Sequence, residues 1–249
     1  MKRIKLILEY DGTAYAGWQR QVNAIAVQQR VEEAIASLTG TPHSVTGASR
    51  TDAGVHARGQ TVHFDTQSPI PPERWLLAMN TRLPSDIRVV HSEQADSTFH
   101  ARFHAERKCY TYSIVNAAHA PAIGRQYAWH FVPPLDVGRM QEAARTIEGT
   151  HDFACCMASG GESKTTVRTV FSAIVEQKEE TIRFAIEGDG FLYNMVRILA
   201  GTLCYVGQGK LPTDSIARAL QTGDRLLLGP TAPPQGLCLE WIQYSPTAK

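Results

Sequence analysis

The sequence predicts an α+β fold: two successive βαββαβ units, the ferredoxin-like (RRM-like) arrangement, sharing a largely antiparallel sheet with helices on one side. Three observations carry this expectation. Short apolar runs and helical stretches follow one another in the order strand, helix, strand, strand, helix, strand. The second half of the chain rhymes with the first, and neither a linker nor a low-complexity tract separates them. The join falls around residues 100–107, so the expected division is an N-terminal half of residues 1–104 and a C-terminal half of residues 105–249.

Taken in order, Ile4 to Tyr10 reads as the first strand, followed by a Gly-rich turn region holding Tyr15, Trp18 and Arg20. Val27, Val31, Ala34, Ile35 and Leu38 then recur at helical spacing, closed by Gly40 and Pro42. His43 to Thr46 and Gln60 to Phe64 are two strands flanking a small-residue loop. Pro71-Pro72 opens a second helix with Trp75, Leu76 and Met79 on its apolar side, and Ile87 to His91 is the last strand of this half. In the second half, Cys109 to Val115 and Gln126 to Phe131 read as strands. Val137, Met140, Ala144 and Ile147 mark a helix with Gly149 just past its end. Thr166 to Glu176 and Thr181 to Glu187 form a hairpin, the second arm alternating Ile182, Phe184 and Ile186 with polar residues. A long helix runs from near Asn194 to Gly207, a short one starts at Thr213 as N-cap, and Leu237 to Tyr244 is the final strand.

At 249 residues the chain is long enough for a substantial core. No run approaches the roughly 20 apolar residues of a membrane helix, so no membrane association is expected. The basic and apolar start, Met1 to Leu8, is too short for a signal peptide and is ended by Glu9, Asp11 and Gly12. Five cysteines, odd in number and without a C-x-x-C pair, argue against a disulfide framework or a zinc site and fit a reducing cytoplasm. The neighbours Cys155 and Cys156 read as small buried residues rather than a redox pair. The formal net charge of +1 is low for a nucleic-acid binder. One local cluster, Phe99 to Lys108, nevertheless interleaves aromatic, imidazole and cationic side chains.

The most informative stretch is Gly47-Ala48-Ser49-Arg50-Thr51-Asp52-Ala53-Gly54-Val55-His56-Ala57. It sets one carboxylate among small residues, with an arginine two positions before and a histidine four after, so Asp52 has room to face a large substrate. A lone aspartate in such a loop is more often a turn residue bonding nearby N–H groups. Four further segments change that reading. They are Tyr10-Asp11-Gly12-Thr13-Ala14-Tyr15-Ala16-Gly17-Trp18-Gln19, Phe99 to Phe103 followed by Tyr110-Thr111-Tyr112, Gly190 to Arg197, and Thr231 to Leu239. With the Asp52 loop, these five ordered segments resemble the tRNA pseudouridine synthase A family almost end to end.

The resemblance implies an isomerase that converts uridine to pseudouridine at positions 38, 39 and 40 of the tRNA anticodon arm. It also implies no metal and no organic cofactor, a homodimer that holds tRNA across both subunits, and an active-site cleft between the halves. It makes Asp52 the catalytic nucleophile; whether that carboxylate attacks C1′, attacks C6 or promotes elimination to a glycal stays open. It gives Arg50 the support of the flipped nucleotide and Tyr110 the stacking against the target base, with Tyr112 on the same strand face left to packing. Arg197 matches an arginine that pairs with the nucleophile, where a cation keeps a carboxylate ionised. Unpaired among Met195, Val196, Ile198 and Leu199 it would be costly. His56, Arg58, Arg102, Arg107 and Lys108 are expected to contact the RNA backbone.

Competing chemistries find less support. His100 and His104 sit at i,i+4, but Arg102, Arg107 and Lys108 would repel a metal cation. An aspartate-based phosphotransferase would want a second carboxylate two residues after Asp52, and a glycosidase a facing pair. A catalytically silent RNA-binding module on the same scaffold would be expected to lack Asp52, Tyr110 or Arg197, and all three are present.

Overall fold

The computed structural model describes residues 1–161 and 163–245. The fold is α+β with mainly antiparallel strand pairing and, among the described residues, five α-helices. The chain forms two compact units: Met1–Glu106 together with the segment from Cys238, and Arg107–Leu237. The final strand, read in the sequence as the end of a 105–249 half, thus packs with the first unit.

The first unit contains β1 (Lys2–Tyr10), α1 (Val27–Thr39), β2 (Thr46–Gly47), β3 (His56–Thr66), α2 (Trp75–Asn80), β4 (Ile87–Ala95) and β10 (Leu237–Tyr244). Strand β1 lies between β3 and β4 and is antiparallel to both. The far edge of β3 is divided: β2 pairs with Val62 and His63, while Cys238 and Leu239 of β10 run parallel beside His56 and Ala57. Alternation along β1 buries Ile4, Leu6, Leu8 and Tyr10 on one face. There Phe64 of β3 meets Trp75 of α2 edge to face at 5.0 Å. Helix α1 turns Val27, Val31, Ala34 and Ile35 inward and closes at Gly40, which takes the left-handed conformation with φ 75°.

On the other face of this sheet, Lys5 lies opposite His63, and both are covered by the turn Phe99–His104. Phe99 and Ala101 pack there with Ala48, Ala95, Ile242 and Tyr244. The Nδ1 of His63 accepts the Ala101 N–H at 3.1 Å. Burial, then the nearby charges of Arg3 and His100, hold the His63 pKa down at about 4 against an ordinary 6.5. Asp65 opposes them and His104 adds a smaller push the same way.

The second unit orders its strands β5 (Ala105–Val115), β9 (Thr181–Gly188), β8 (Val167–Lys178), β7 (Gly149–Asp152), all antiparallel. Tyr110, Tyr112 and Ile114 stand directly opposite Ile186, Phe184 and Ile182, forming one buried face. The helices are α3 (Val137–Arg145), α4 (Met195–Gly207) and α5 (Ser215–Thr222). Helix α4 is apolar almost all round and nearly every residue is buried, as a central helix requires. Cys155 and Cys156 are buried too.

Four local expectations need correction. Strand β2 has only two residues rather than spanning His43 to Thr46. The run Gln126 to Phe131 yields a 3-10 turn, Arg125–Tyr127, and the two-residue strand β6 (Trp129–His130). Strand β7 was not expected; Gly149 opens it rather than only ending a helix. The cap of α5 is Asp214, while the Thr213 hydroxyl donates instead to Glu142 at 2.7 Å.

Strand β8 outruns β7, and its exposed edge is satisfied by side chains of the α3 region. Gln141 accepts the Val175 N–H at 2.6 Å and donates to the Ala173 carbonyl at 3.3 Å, and Glu148 accepts the Ala173 N–H at 3.0 Å. This protects a sheet edge that would otherwise offer itself to another chain. Gln141→Leu should therefore lower unfolding stability by about 1–3 kcal/mol in urea titrations; an unchanged midpoint would remove this role. His63 sets a pH dependence. Between pH 6.5 and about 4 the unfolded chain binds a proton on His63 that the folded chain refuses. Its contribution to stability is complete above pH 6.5 and is lost as pH falls toward 4. The melting temperature should drop across this window, and His63→Asn, which keeps an acceptor near Nδ1, should flatten that drop.

Candidate active site

The loop between β2 and β3 carries Asp52, and neighbouring residues clamp it at both ends. Ala48 N–H donates to the Thr61 carbonyl at 2.9 Å, and the buried Gln60 donates to the Ser49 carbonyl at 2.6 Å. Past the middle, Val55 N–H returns to the Asp52 carbonyl at 3.1 Å, closing a turn. Between these points Thr51 is buried, Asp52 is half-buried, and Arg50 and Ala53 are exposed.

The segment Tyr10–Trp18 holds this loop from outside. The Tyr10 and Thr51 hydroxyls are hydrogen-bonded at 2.8 Å. Trp18 N–H donates to the Thr51 carbonyl at 3.0 Å, and Gly54 N–H donates to the Tyr15 carbonyl at 3.2 Å. The approach is close enough to dictate residue type. A β-carbon on Gly12 would collide with the Val55 carbonyl, and one on Gly17, at φ 89°, would meet the Thr51 carbonyl.

His56, expected as an RNA contact, is instead buried at 6% exposure. Its Nδ1 accepts the Gly12 N–H at 3.0 Å and lies 3.2 Å from the Asp11 carboxylate. That carboxylate also takes the Thr13 N–H at 2.9 Å, capping the Gly12–Ala14 turn. An imidazole so enclosed serves the loop's geometry. Arg58, two residues on, is 69% exposed and stands 3.7 Å from Glu240, a loose pair. Arg102 is exposed at the tip of the Phe99–His104 turn.

In the second unit, Arg107 is exposed with its guanidinium 4.3 Å from the Phe171 ring centre, and Lys108 is half-buried. Tyr110 is 5% exposed and packs edge to face on Phe191 at 5.3 Å. Tyr112 is wholly buried; its hydroxyl donates to the Pro233 carbonyl at 2.7 Å, and burial pushes its pKa well above the ordinary phenol range. That hydroxyl is committed to structure.

Arg197 lies in the first turn of α4 and is the one charged side chain of that helix. A cation there opposes the helix dipole, an arrangement that suits a site which receives an anion. Its guanidinium is fixed on two sides, Nε donating to the Ala232 carbonyl at 2.8 Å and Nη1 to the Asn194 side-chain oxygen at 2.7 Å. Ala232 N–H donates back to the Arg197 carbonyl at 3.0 Å. Asn194 reaches this geometry in the left-handed region, φ 61°.

Asp52, Arg50, His56, Arg58 and Arg102 thus belong to the first unit, and Arg107, Lys108, Tyr110 and Arg197 to the second. Among the described residues, no group of three or more His, Cys, Asp or Glu is arranged to hold a metal ion. The Nδ1 atoms of His100 and His104 both accept backbone N–H groups. Sequence reasoning missed the supporting cast: Tyr10, Gly12, Gln60, Phe191, Asn194 and Ala232. All but Gln60 fall inside the quoted segments; their signal was membership of a segment, with no chemistry of their own to mark them.

A family model described as tRNA pseudouridine synthase matches residues 6–104 and 143–245. The tRNA pseudouridine synthase A of Ruminiclostridium cellulolyticum is 48% identical over 245 residues, covering 98% of this chain and 100% of its own. That of Clostridium kluyveri is 46% identical over 244 residues, with coverage of 98% and 100%. That of Syntrophotalea carbinolica is 46% identical over 246 residues, with coverage of 99% and 98%. With both units matched and the Asp52 loop and Arg197 inside the matched ranges, the chain belongs to the tRNA pseudouridine synthase family.

Proposed function

We propose that this protein isomerises uridine to pseudouridine in tRNA, at positions 38, 39 and 40 of the anticodon arm. The observation that carries the reading is Asp52: a half-buried carboxylate on a loop anchored at Thr51 on one side and at Gly54 and Val55 on the other. The reaction breaks the N1–C1′ bond, turns the base and joins C5 to C1′. The proton lost from C5 is balanced by one gained at N1, so nothing is oxidised or hydrolysed. A carboxylate that bonds covalently to the nucleoside and then leaves unchanged meets this requirement.

In this reading the target base leaves its stack, at a cost of a few kcal/mol, and the exposed Arg50 supports the flipped nucleotide. Tyr110 offers its ring to the uracil. Arg197 supplies the cation that favours the ionised nucleophile. Arg58, Arg102, Arg107 and Lys108 position the RNA backbone, while His56 acts through the loop it fixes. The protein works as a homodimer in the cytoplasm and needs no cofactor. Among the described residues no helix is long and apolar enough to cross a membrane. A silent RNA-binding module is disfavoured, because such a protein has no use for a carboxylate held in this way.

Purified protein incubated with unmodified tRNA should form pseudouridine at those three positions, mapped by sequencing. Asp52→Asn should keep its melting temperature and tRNA affinity while product formation falls by at least about 10⁴-fold. Retained isomerase activity in that variant would end the nucleophile assignment. Gly12→Ala tests the clamp without touching any group assigned to RNA. Overpacking against the Val55 carbonyl should cost about 1–3 kcal/mol of stability, and the turnover rate should fall with tRNA affinity preserved. Full turnover in a stably folded Gly12→Ala protein would show that the clamp does not aim Asp52.

A further inference from the structure

Phe103 is the odd side chain of the first unit: a large apolar ring left 74% exposed at the tip of a turn that is otherwise tightly tied. Isolated exposed hydrophobics are common, but they are seldom braced. Here one face of the ring stacks on the His100 imidazole, with centres 4.3 Å apart and planes at 28°. The Arg102 guanidinium lies 5.8 Å from the ring centre. The backbone is fixed by the same imidazole, whose Nδ1 accepts the N–H of both Arg102 and Phe103 at 3.2 Å. His104 Nδ1 accepts the His100 N–H at 3.4 Å, and Arg3 donates to the Phe99 carbonyl at 2.8 Å. Partial burial and the neighbouring cations hold the His100 pKa down, which favours the uncharged ring that this acceptor role demands.

We propose that Phe103, braced by His100 and flanked by Arg102, is a stacking platform for an unpaired nucleobase of the substrate RNA, a base other than the uridine that reacts. The inference rests on the RNA-modifying reading above and adds a recognition site to it. Three features select a nucleobase over an apolar protein side chain. The exposed surface is a single flat ring rather than a groove. A guanidinium stands beside it, suited to the base's π-face or to its phosphate. Among the described residues Arg102 makes no ion pair, whereas the nearby Asp65 and Glu93 are paired with Arg3 and Lys5. The turn also adjoins the catalytic loop, since Phe99 and Ala101 pack against Ala48. A ring already fixed in place loses little freedom on binding.

The test uses the full-length protein with Phe103 replaced by Ala, Leu and Trp. It measures affinity for unmodified tRNA, the single-turnover rate at saturating tRNA, and oligomeric state by light scattering. Phe103→Trp should bind within about twofold of wild type, while Phe103→Ala and Phe103→Leu should each weaken binding roughly tenfold with the saturated rate unchanged. Wild-type affinity in Phe103→Leu would mean that apolar bulk rather than stacking matters and would overturn the proposal, as would unchanged affinity in all three. A change in oligomeric state in Phe103→Ala would assign the ring to a subunit contact and overturn it equally. Absence of pseudouridine from the wild-type reaction would sink the enzymatic reading instead, and the binding comparison would still report on the platform.

Discussion

A carboxylate on a loop is aimed only as well as the backbone beneath it, and here that backbone is held by the segment Tyr10–Trp18. Ordering a residue costs about 1–2 kcal/mol of backbone entropy, so a loop spanning Ala48 to Val55 stays in one conformation only if neighbours restrain it. The Tyr10–Thr51 hydroxyl pair, the Trp18–Thr51 and Gly54–Tyr15 backbone bonds, and the tight seat of Gly12 under Val55 supply that restraint. They act on Thr51 and Gly54, the residues either side of Asp52–Ala53, so the backbone that carries the half-buried carboxylate is fixed from both directions.

The same design recurs in the second unit. Arg197 sits in a helix whose other side chains are nearly all buried, and its charge is placed against the helix dipole. Bonds to Ala232 and Asn194 from different stretches of chain fix the guanidinium's orientation. In both units a charged group that would be poorly placed for stability alone is held by neighbours that carry no chemistry. Such local conflict, compensated nearby, is what functional positions show in an otherwise consistent fold.

How much of this could be read from sequence followed the strength of each local signal. Strand β1, helix α1 and the hairpin β8–β9 carry clear periodicity, and their cores matched it. Strands β2, β6 and β7 have two to four residues, too few for alternation to register, and form because a longer partner is already in place. The placement of β10 beside β3 is a non-local pairing with no sequence signature at all. Among the candidate site residues, Asp52, Tyr110 and Arg197 stand out in the sequence through their motifs. His56 did not reveal itself as a buried brace, because burial depends on the Asp11–Gly12 turn folding over it, and nothing in a histidine's own neighbourhood announces that.

The formal charge of +1 looked hard to reconcile with an RNA substrate. The structure resolves this by separating cations that are spent on the fold from those that are not. Arg3, Lys5, Arg20 and Arg30 are each within 3.0 Å of a carboxylate. Arg50, Arg102 and Arg107 are exposed and, among the described residues, make no ion pair. Net charge counts every cation and carboxylate alike and carries no information about where an exposed, unpaired cation stands. A polyanion responds to the local field within about a Debye length, roughly 8–10 Å at ordinary salt, and not to the total. An exposed arginine with no carboxylate beside it therefore attracts phosphate locally even where the total charge is near zero.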